Sequence, residues 1–217
     1  MYSIITPDVR HKYEDRLDQM FRARYDQFIT QMGWDVPGAE APYEKDAFDT
    51  EDTVYIIVVD PVLDTVTASA RLNPTTKPHL LTEIFQNFCD LQAAPQADDV
   101  WEWSRQQVAS HLYPDRVEEL RMRMQVSLGK IQFCLANGIR KLSTITHARA
   151  YNLLQRVYTT EPLGLPHRES GEDEAWIASV VTLDEASIAK VRERADNPEK
   201  VIAQIMAFNS AKSFKAA

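Results

Sequence analysis

The sequence is poor in several residue types, and each shortage excludes a class of protein. It has 217 residues but only 6 glycines and 2 cysteines, while 44% of its residues are hydrophobic. This composition excludes collagen-like and low-complexity chains and predicts a globular protein. Cys89 and Cys134 both lie in apolar, helix-like segments. We therefore expect free, buried thiols and a cytoplasmic location.

Long apolar runs and excess positive charge are also missing. No apolar run approaches the roughly 18 residues that a membrane-spanning helix needs, and no signal peptide is visible at the start. The 24 Lys and Arg residues are outnumbered by 32 Asp and Glu residues, which gives a net charge of −8. That charge disfavours nonspecific binding to nucleic acid. The five histidines are scattered without metal-ligand spacing, so we expect no metal site.

Hydrophobic periodicity predicts one domain of the α+β or α/β class. Residues 8–32 have the pattern of an amphipathic helix ended by Gly33, and residues 34–52 are typical of a loop. Thr53–Asp60 and Thr65–Leu72 are predicted to form a hairpin. The remaining predicted elements are a short helix at Leu80–Asp90, a strand at Val100–Ala109, a helix from Asp115 to Asn137, a strand at Lys141–Thr146, a helix at Ala148–Tyr158, a strand at Ala175–Leu183 and a last helix after Asp184 that breaks near Pro198.

Several charges lie inside apolar, strand-like segments. Arg71 ends one such segment, and Glu102 and Arg105 lie in another beside two tryptophans. Burying these charges is costly unless they are paired. We therefore expect three arginines and three carboxylates to converge, either around a ligand or as a purely structural network. The six residues are Arg24, Arg71, Arg105, Asp46, Asp49 and Glu102.

Strand alternation predicts the side-chain directions at Val100–Ala109. It places Glu102 and Ser104 on one face, and Arg105 on the other face with Trp101 and Trp103, unless a bulge intervenes.

Four motifs, in this order and spacing, resemble the acyl-homoserine-lactone synthases (LuxI-type autoinducer synthases). They cover roughly the first half of the chain, and the second half resembles the family loosely. Most members have Phe where this chain has Gln106, which puts one aromatic contact in doubt. The motifs are Arg24-x3-Phe28-x5-Trp34, then Glu44-x-Asp46-x-Phe48-Asp49, then Ala70-Arg71-Leu72-x-Pro74-Thr75-Thr76, and Trp101-Glu102-x-Ser104-Arg105.

The resemblance implies a fold and a substrate-binding role for each half of the chain. The fold is that of the N-acetyltransferases, a three-layer α/β sandwich whose central mixed, mostly antiparallel sheet is flanked by helices. A V-shaped splay between two central strands would admit a phosphopantetheine arm. The single domain would span residues 1–217, with residues 1–110 binding S-adenosylmethionine and residues 111–217 binding the acyl chain and its carrier.

The resemblance also implies a reaction that makes a quorum-sensing signal. The amine of S-adenosylmethionine attacks an acyl thioester, and its carboxylate then displaces the sulfonium, closing a lactone and releasing methylthioadenosine. S-adenosylmethionine is then a substrate, and no cofactor is implied. The implied partner is acyl carrier protein, with acyl-coenzyme A as a second candidate donor.

The resemblance suggests roles residue by residue. Glu102 would be the general base, with Arg71 and Arg105 orienting the substrate. Thr144 and Thr146 would contact the acyl chain. The predicted S-adenosylmethionine pocket consists of Arg24, Phe28, Trp34, Asp46, Asp49 and Trp103. The predicted carrier-protein surface consists of Arg149 and Arg156, with a stripe of Arg116, Arg123 and Lys130 on the preceding helix.

Plain structural explanations remain open beside each of these roles. Glu102 could simply pair an arginine, the aromatic residues and Trp103 could be hydrophobic anchors, and the threonines suit a strand. The basic residues could form a solvated helix face. Two other functions also stay open: an ordinary acetyl-CoA-dependent N-acetyltransferase, although no pyrophosphate-binding loop is present, and a non-catalytic family member, which Gln106 alone supports.

Overall fold

Seven strands form one sheet in the computed structural model, which describes residues 1–168 and 174–203. Their order across the sheet is β1-β2-β3-β4-β5-β7-β6, and all neighbours are antiparallel except β4 and β5. The mixed, mostly antiparallel sheet is therefore confirmed. The strands are β1 Tyr2–Ile5, β2 Val54–Asp60, β3 Thr65–Pro74, β4 Val100–Val108, β5 Lys141–His147, β6 Thr159–Pro162 and β7 Trp176–Thr182.

Helices cover both faces of this sheet. The predicted hairpin of β2 and β3 is confirmed, and so is the helix that Asp115 caps by accepting from the Val117 N–H. Two predicted helices are divided: a 3₁₀ turn and a π-helix flank the first, and the second is a short α-helix followed by a 3₁₀ turn. The α-helices are α1 Glu14–Arg24, α2 Leu80–Glu83, α3 Arg116–Ala136, α4 Ala148–Leu154 and α5 Glu185–Asp196.

Apolar clusters between the layers hold the sandwich together. The largest packs α3 and α5 on one face of the sheet, through residues such as Val126, Ile188 and Val191. On the other face, α1 buries Leu17 and Met20 against β2, and the α2 region forms a separate cluster with β7. We call these the α3 face and the α1 face. Each buried aliphatic side chain contributes about 1.5–3 kcal/mol, which makes these layers the main source of stability.

Some expectations about burial need adjustment. Both thiols are free, but Cys89 is half-buried and only Cys134 is fully buried. Among the described helices, none has the length and apolar character needed to cross a membrane.

The centre of the sheet opens between β4 and β5. The two parallel strands pair at three successive positions, the last joining Glu102 to Ser143. Beyond it, β4 continues to Val108 beside β3, and β5 continues to His147 beside β7. We call this opening the splay. Because β4 and β5 diverge at Glu102, the splay begins where a buried carboxylate lies.

Candidate active site

Three arginines and three carboxylates form a closed ring on the α1 face, in which each side chain contacts two of opposite charge. All six are at least nine-tenths buried. Such burial is tolerated because every charge is compensated twice. In order, the contacts are Arg24 to Asp49 at 2.8 Å, Asp49 to Arg71 at 3.0 Å, Arg71 to Asp46 at 2.5 Å, Asp46 to Arg105 at 2.6 Å, Arg105 to Glu44 at 2.8 Å, and Glu44 back to Arg24.

Secondary structure supplies the arginines of the ring, and the loop at 34–52 supplies its carboxylates. Arg24 ends α1, Arg71 lies in β3 and Arg105 in β4. A backbone hydrogen bond also fixes the loop to α1, because the Glu44 N–H donates to the Phe21 carbonyl at 3.1 Å. The ring therefore ties this loop onto the sheet.

The ring shifts the proton affinities of its members. Burial alone would raise the pKa of Asp49, but the charges of Arg24 and Arg71 outweigh it and hold that pKa well below the usual range. Burial would lower the pKa of Arg24, and Asp49 and Glu44 instead raise it. Tyr55 donates its hydroxyl to Asp49 at 2.9 Å, and burial together with that carboxylate raises the tyrosine pKa. Asp49, Arg24 and Arg71, whose pKa values are shifted toward the charged form, thus stay charged at neutral pH.

A bulge in β4 determines where Arg105 lies. Ser104 pairs with Arg71, and Gln107 pairs with Ser69, so two residues of β4 oppose one of β3. Arg105 takes a left-handed conformation with φ of 49°. Its side chain reaches the ring on the α1 face, so the alternation that placed it beside Trp101 and Trp103 was wrong.

Aromatic side chains cover the ring. Phe28 and Trp34 stack with ring centroids 4.9 Å apart, and the Arg105 guanidinium lies 5.7 Å from each centroid. Trp34 also approaches Trp176 of β7 at 6.0 Å, and Trp176 packs on His147 at 3.7 Å. These contacts cross the splay, since Trp34 precedes β2 while His147 and Trp176 belong to β5 and β7.

Glu102 lies outside the ring, which corrects the expected set of six: Glu44 takes the place given to Glu102. The Glu102 Oε2 atom faces His79 Nδ1 at 3.0 Å and accepts from the Leu81 N–H at 3.2 Å. Its other oxygen, Oε1, is buried and has no hydrogen-bond partner within the described residues. Sequence reasoning missed His79, although its position after Pro78, just before α2, suited the capping role that it also performs.

A second polar atom on the same face is also unpaired. Arg71 uses Nε for Ser104 and Nη1 for two carboxylates, whereas its Nη2 atom is buried without a partner in the described part of the chain. Ser143 Oγ, opposite Glu102, is in the same state. Buried polar atoms are almost always paired, so these three unpaired atoms make this part of the α1 face the candidate ligand site.

The other predicted site residues lie elsewhere. Trp103 points to the α3 face, where its ring contacts Lys130, and is thereby separated from the ring of charges. Thr144 and Thr146 lie on the α3 face of β5. Arg149, in α4, has a side chain that is 91% exposed, and Arg156 is exposed just after α4.

The basic stripe predicted on α3 is wrong at Lys130. Its side chain is 1% exposed and points into the core, not toward solvent. Of the other two members, Arg123 pairs with Glu119 at 2.6 Å and Arg116 is exposed.

Comparison with known proteins decides between the functions left open by the sequence. A family model described as autoinducer synthase matches residues 8–191. The chain belongs to the autoinducer synthase family. It is 31% identical over 194 residues to the isovaleryl-homoserine lactone synthase of Bradyrhizobium diazoefficiens, a match that covers 88% of this chain and 84% of that protein. It is 31% identical to the acyl-homoserine-lactone synthase of Ralstonia solanacearum over 62% of this chain and 66% of that protein.

Solved structures agree with this assignment. BjaI, a CoA-dependent acyl-homoserine lactone synthase solved with SAM and isopentyl-CoA, is 29% identical with a TM-score of 0.79, covering 90% of this chain and 89% of that one. MesI, also CoA-dependent, is 25% identical with a TM-score of 0.78, covering 90% and 95%. A putative N-acetyltransferase from Lactobacillus plantarum, 15% identical with a TM-score of 0.54 over 84% and 99%, shares the fold. The protein is therefore an acyl-homoserine-lactone synthase, an acyltransferase with the predicted N-acetyltransferase-like fold.

Proposed function

We propose that this synthase transfers an acyl group from a thioester to the amine of S-adenosylmethionine and then closes the lactone. The amine attacks the thioester carbonyl, a C–N bond forms, and the C–S bond breaks to release the thiol. A carboxylate oxygen of the methionine part then attacks the carbon next to the sulfonium, and methylthioadenosine leaves. The first step requires that the substrate ammonium lose a proton to a base.

One observation carries this proposal: a buried donor and a buried acceptor lie unpaired on the same face. Arg71 Nη2 can donate to the carboxylate of an α-amino acid, and Glu102 Oε1 can accept from its ammonium. Arg71 pairs with Ser104, two residues beyond Glu102 on the same face of β4. This spacing suits the amino and carboxylate groups of one methionine moiety. Glu102 is then the catalytic base, and Arg71 orients the substrate.

The charged ring and its aromatic cover suit the rest of that substrate. Arg24, Asp46 and Asp49 would shape the pocket, with Arg105 held at the edge nearest Phe28 and Trp34. A sulfonium cation is attracted to aromatic faces, which these two rings supply. Trp103 is left out of this pocket, because it faces the other side of the sheet.

We further propose that His79 is a positioning residue for Glu102. The His79 ring lies between two acceptors, with Nε2 3.2 Å from the Pro95 carbonyl and Nδ1 3.0 Å from Glu102 Oε2. That contact and the Leu81 N–H fix one carboxylate oxygen and leave Oε1 directed at the substrate.

The acyl thioester would enter through the splay. Its carbonyl would lie beside Ser143, whose unpaired hydroxyl can donate to the developing oxyanion. The chain up to β4 would thus hold S-adenosylmethionine, and the part from α3 onward the acyl group. We propose that the enzyme works in the cytoplasm, which suits its two free thiols.

Acyl-coenzyme A is the donor that the observations favour. Two of the similar structures, BjaI and MesI, are described as CoA-dependent. Acyl carrier proteins are acidic and dock over a wide area, so they need a basic surface on a chain whose net charge is −8. Carrier-protein docking at Arg149 and Arg156 is the competing proposal.

A direct assay tests the proposed reaction. The purified protein is incubated with S-adenosylmethionine and a series of acyl thioesters, and methylthioadenosine and acyl-homoserine lactone are quantified by chromatography and mass spectrometry. We expect both products in equal amounts. Thiol release without methylthioadenosine would show acyl transfer alone, and no turnover with any thioester would contradict the proposal.

A further inference from the structure

Two polar side chains beside the splay have buried atoms that the proposed reaction does not use. Gln107, near the end of β4, is 1% exposed, and neither Oε1 nor Nε2 of its amide has a hydrogen-bond partner within the described residues. His147 ends β5, and its Nδ1 atom is buried in the same state. Buried polar atoms are almost always paired, so these two side chains mark a place where a ligand supplies the partners.

Strand register places the two side chains on one face and at the same depth. Glu102 and Ser143 form the last pair of β4 and β5, on the α1 face. His147 lies four residues beyond Ser143, so strand alternation returns it to that face. Gln107 lies five residues beyond Glu102, and the bulge at Arg105 uses one of the five. Both side chains therefore lie on the α1 face, about 13 Å along their strands from the last pair.

Aromatic rings cover the splay at this level. The ring centroids of Trp34 and Trp176 lie 6.0 Å apart across the opening, and the Trp176 ring packs on His147 with centroids 3.7 Å apart. On the other side, Gln107 borders a small cavity between the end of β4 and the π-helix Tyr25–Gln31. An elongated ligand that runs along the splay would thus pass beneath the aromatic rings, with Gln107 on one side and His147 on the other.

The arm of the acyl donor has the required length. Acyl-coenzyme A and an acylated carrier protein both hold the acyl group on a pantetheine arm, which has an inner amide near the thioester and an outer amide farther away. The outer amide lies about nine bonds from the thioester carbonyl, and an extended chain covers about 3.5 Å for every three bonds. With that carbonyl beside Ser143, the outer amide lies about 10 Å along the splay, within side-chain reach of Gln107 and His147.

We propose that Gln107 and His147 bind the outer amide of the pantetheine arm and the hydroxyl next to it, and thereby align the thioester with Glu102. The Gln107 amide offers one acceptor and one donor, which match the N–H and the carbonyl of the arm. His147 Nδ1 can accept from the hydroxyl or donate to it. This inference rests on the proposed function and concerns how the same site holds its second substrate.

Donors with arms of different length test the inference. The acyl group that reacts fastest in the assay above is supplied as its N-acetylcysteamine thioester, which has only the inner amide, and as its pantetheine and coenzyme A thioesters, which have both. We expect kcat/KM to be at least about tenfold higher for the pantetheine thioester than for the N-acetylcysteamine thioester, because further hydrogen bonds form. Equal values overturn the inference and leave the proposed reaction intact, whereas absent turnover with every donor contradicts the reaction itself.

Variants locate the effect. Gln107→Leu removes the amide at similar volume, and His147→Phe keeps a ring against Trp176 but removes Nδ1. Each should lower kcat/KM for the pantetheine and coenzyme A thioesters by about threefold to tenfold, with the value for the N-acetylcysteamine thioester and the KM for S-adenosylmethionine unchanged. The two changes lie on different strands, so if one variant fails to fold the other decides. An unchanged ratio in a folded variant, or an equal loss with both short and long arms, overturns the inference.

Matched controls make the same substitutions at exposed positions away from the splay. Gln132→Leu changes a glutamine of α3 whose side chain contacts Tyr2 of β1, and His11→Phe changes a histidine of the 3₁₀ turn Pro7–Lys12. Both controls should keep the wild-type ratio between the pantetheine and N-acetylcysteamine thioesters.

Discussion

Glu44 carries two of the six contacts of the buried ring, one to Arg24 and one to Arg105. Glu44→Gln would leave these arginines with an uncompensated charge in a buried place. We expect a loss of about 3–5 kcal/mol in the free energy of unfolding, measured with denaturant. Asp18→Asn is the control, because it breaks a solvent-exposed pair with Arg22 and should cost far less. Equal losses in both variants would contradict the ring's role.

The pKa of Asp49 makes a prediction about acid stability. Burial raises that pKa, but Arg24 and Arg71 lower it further, so the folded value lies below the unfolded value of about 3.9. The stabilisation is therefore complete above roughly pH 5 and is lost as the pH falls below it. Asp49→Asn should be less stable at neutral pH and show a flatter decline between about pH 5 and 3. A decline as steep as that of the wild type would argue against Asp49 as its source.

Glu102 and His79 make a prediction about rate. Glu102→Gln keeps the shape but removes the base, and we expect kcat to fall by about 10² or more with little change in the KM for S-adenosylmethionine. His79→Leu should lower kcat less, and His79→Gln, whose amide can still donate to Glu102, should recover part of it. If both His79 variants behave alike, the contact to Glu102 is not what matters.

At the scale of residues, the convergence of the charges was predictable, and their pairing was not. Arg71 and Arg105 had to find partners because they lie in buried strands. Which carboxylates they meet depends on how the loop at 34–52 folds back, which no periodicity records. The sequence therefore predicted Glu102 in the ring where the structure has Glu44. The partner of Glu102 is His79, which lies just before the one-turn helix α2.

At the scale of elements, α3 and β2 are in unusually close contact at Gly129. An added Cβ there would lie 2.5 Å from Ile56 Cγ2 and 3.0 Å from the Tyr2 ring. Gly129→Ala should therefore destabilise the protein by about 1–3 kcal/mol, although the same change in an open helix is favourable. Thermal or denaturant unfolding measures it. Arg116→Ala, at an exposed position of the same helix, should change stability by less than about 0.5 kcal/mol.

Element positions were largely predictable, and the bulge was not. The β2–β3 hairpin and the capped start of α3 follow from apolar runs and turn residues. The direction of Arg105 depends on one extra residue in β4, and without it the alternation gives the wrong face. The same bulge turns Gln106 toward Lys130, which gives the buried amine a hydrogen-bond acceptor. Seven-residue spacing alone could not show that Lys130 is buried while Arg116 and Arg123 are not.

At the scale of the whole molecule, the net charge of −8 bears on the choice of donor. We expect kcat/KM for a given acyl group to be at least tenfold higher on coenzyme A than on acyl carrier protein, because an acidic protein carrier must dock over a wide surface of an acidic enzyme. Arg156→Glu should raise the KM for the carrier-protein thioester and leave that for S-adenosylmethionine unchanged. Lys12→Glu, an equal charge reversal far along the chain, is the control. Equal efficiency on both carriers would contradict the expectation.

The three-position pairing of β4 and β5 has a consequence for the whole sheet. Within the described sheet, strands β1 to β4 on one side and β5 to β7 on the other are joined only by this pairing, which is shorter than either strand that forms it. A molecule lying in the gap touches both sides at once, and its binding free energy adds to the cohesion of the two. Substrate binding and folding are thus thermodynamically linked, and we expect the free energy of unfolding to be higher with substrate bound than without it.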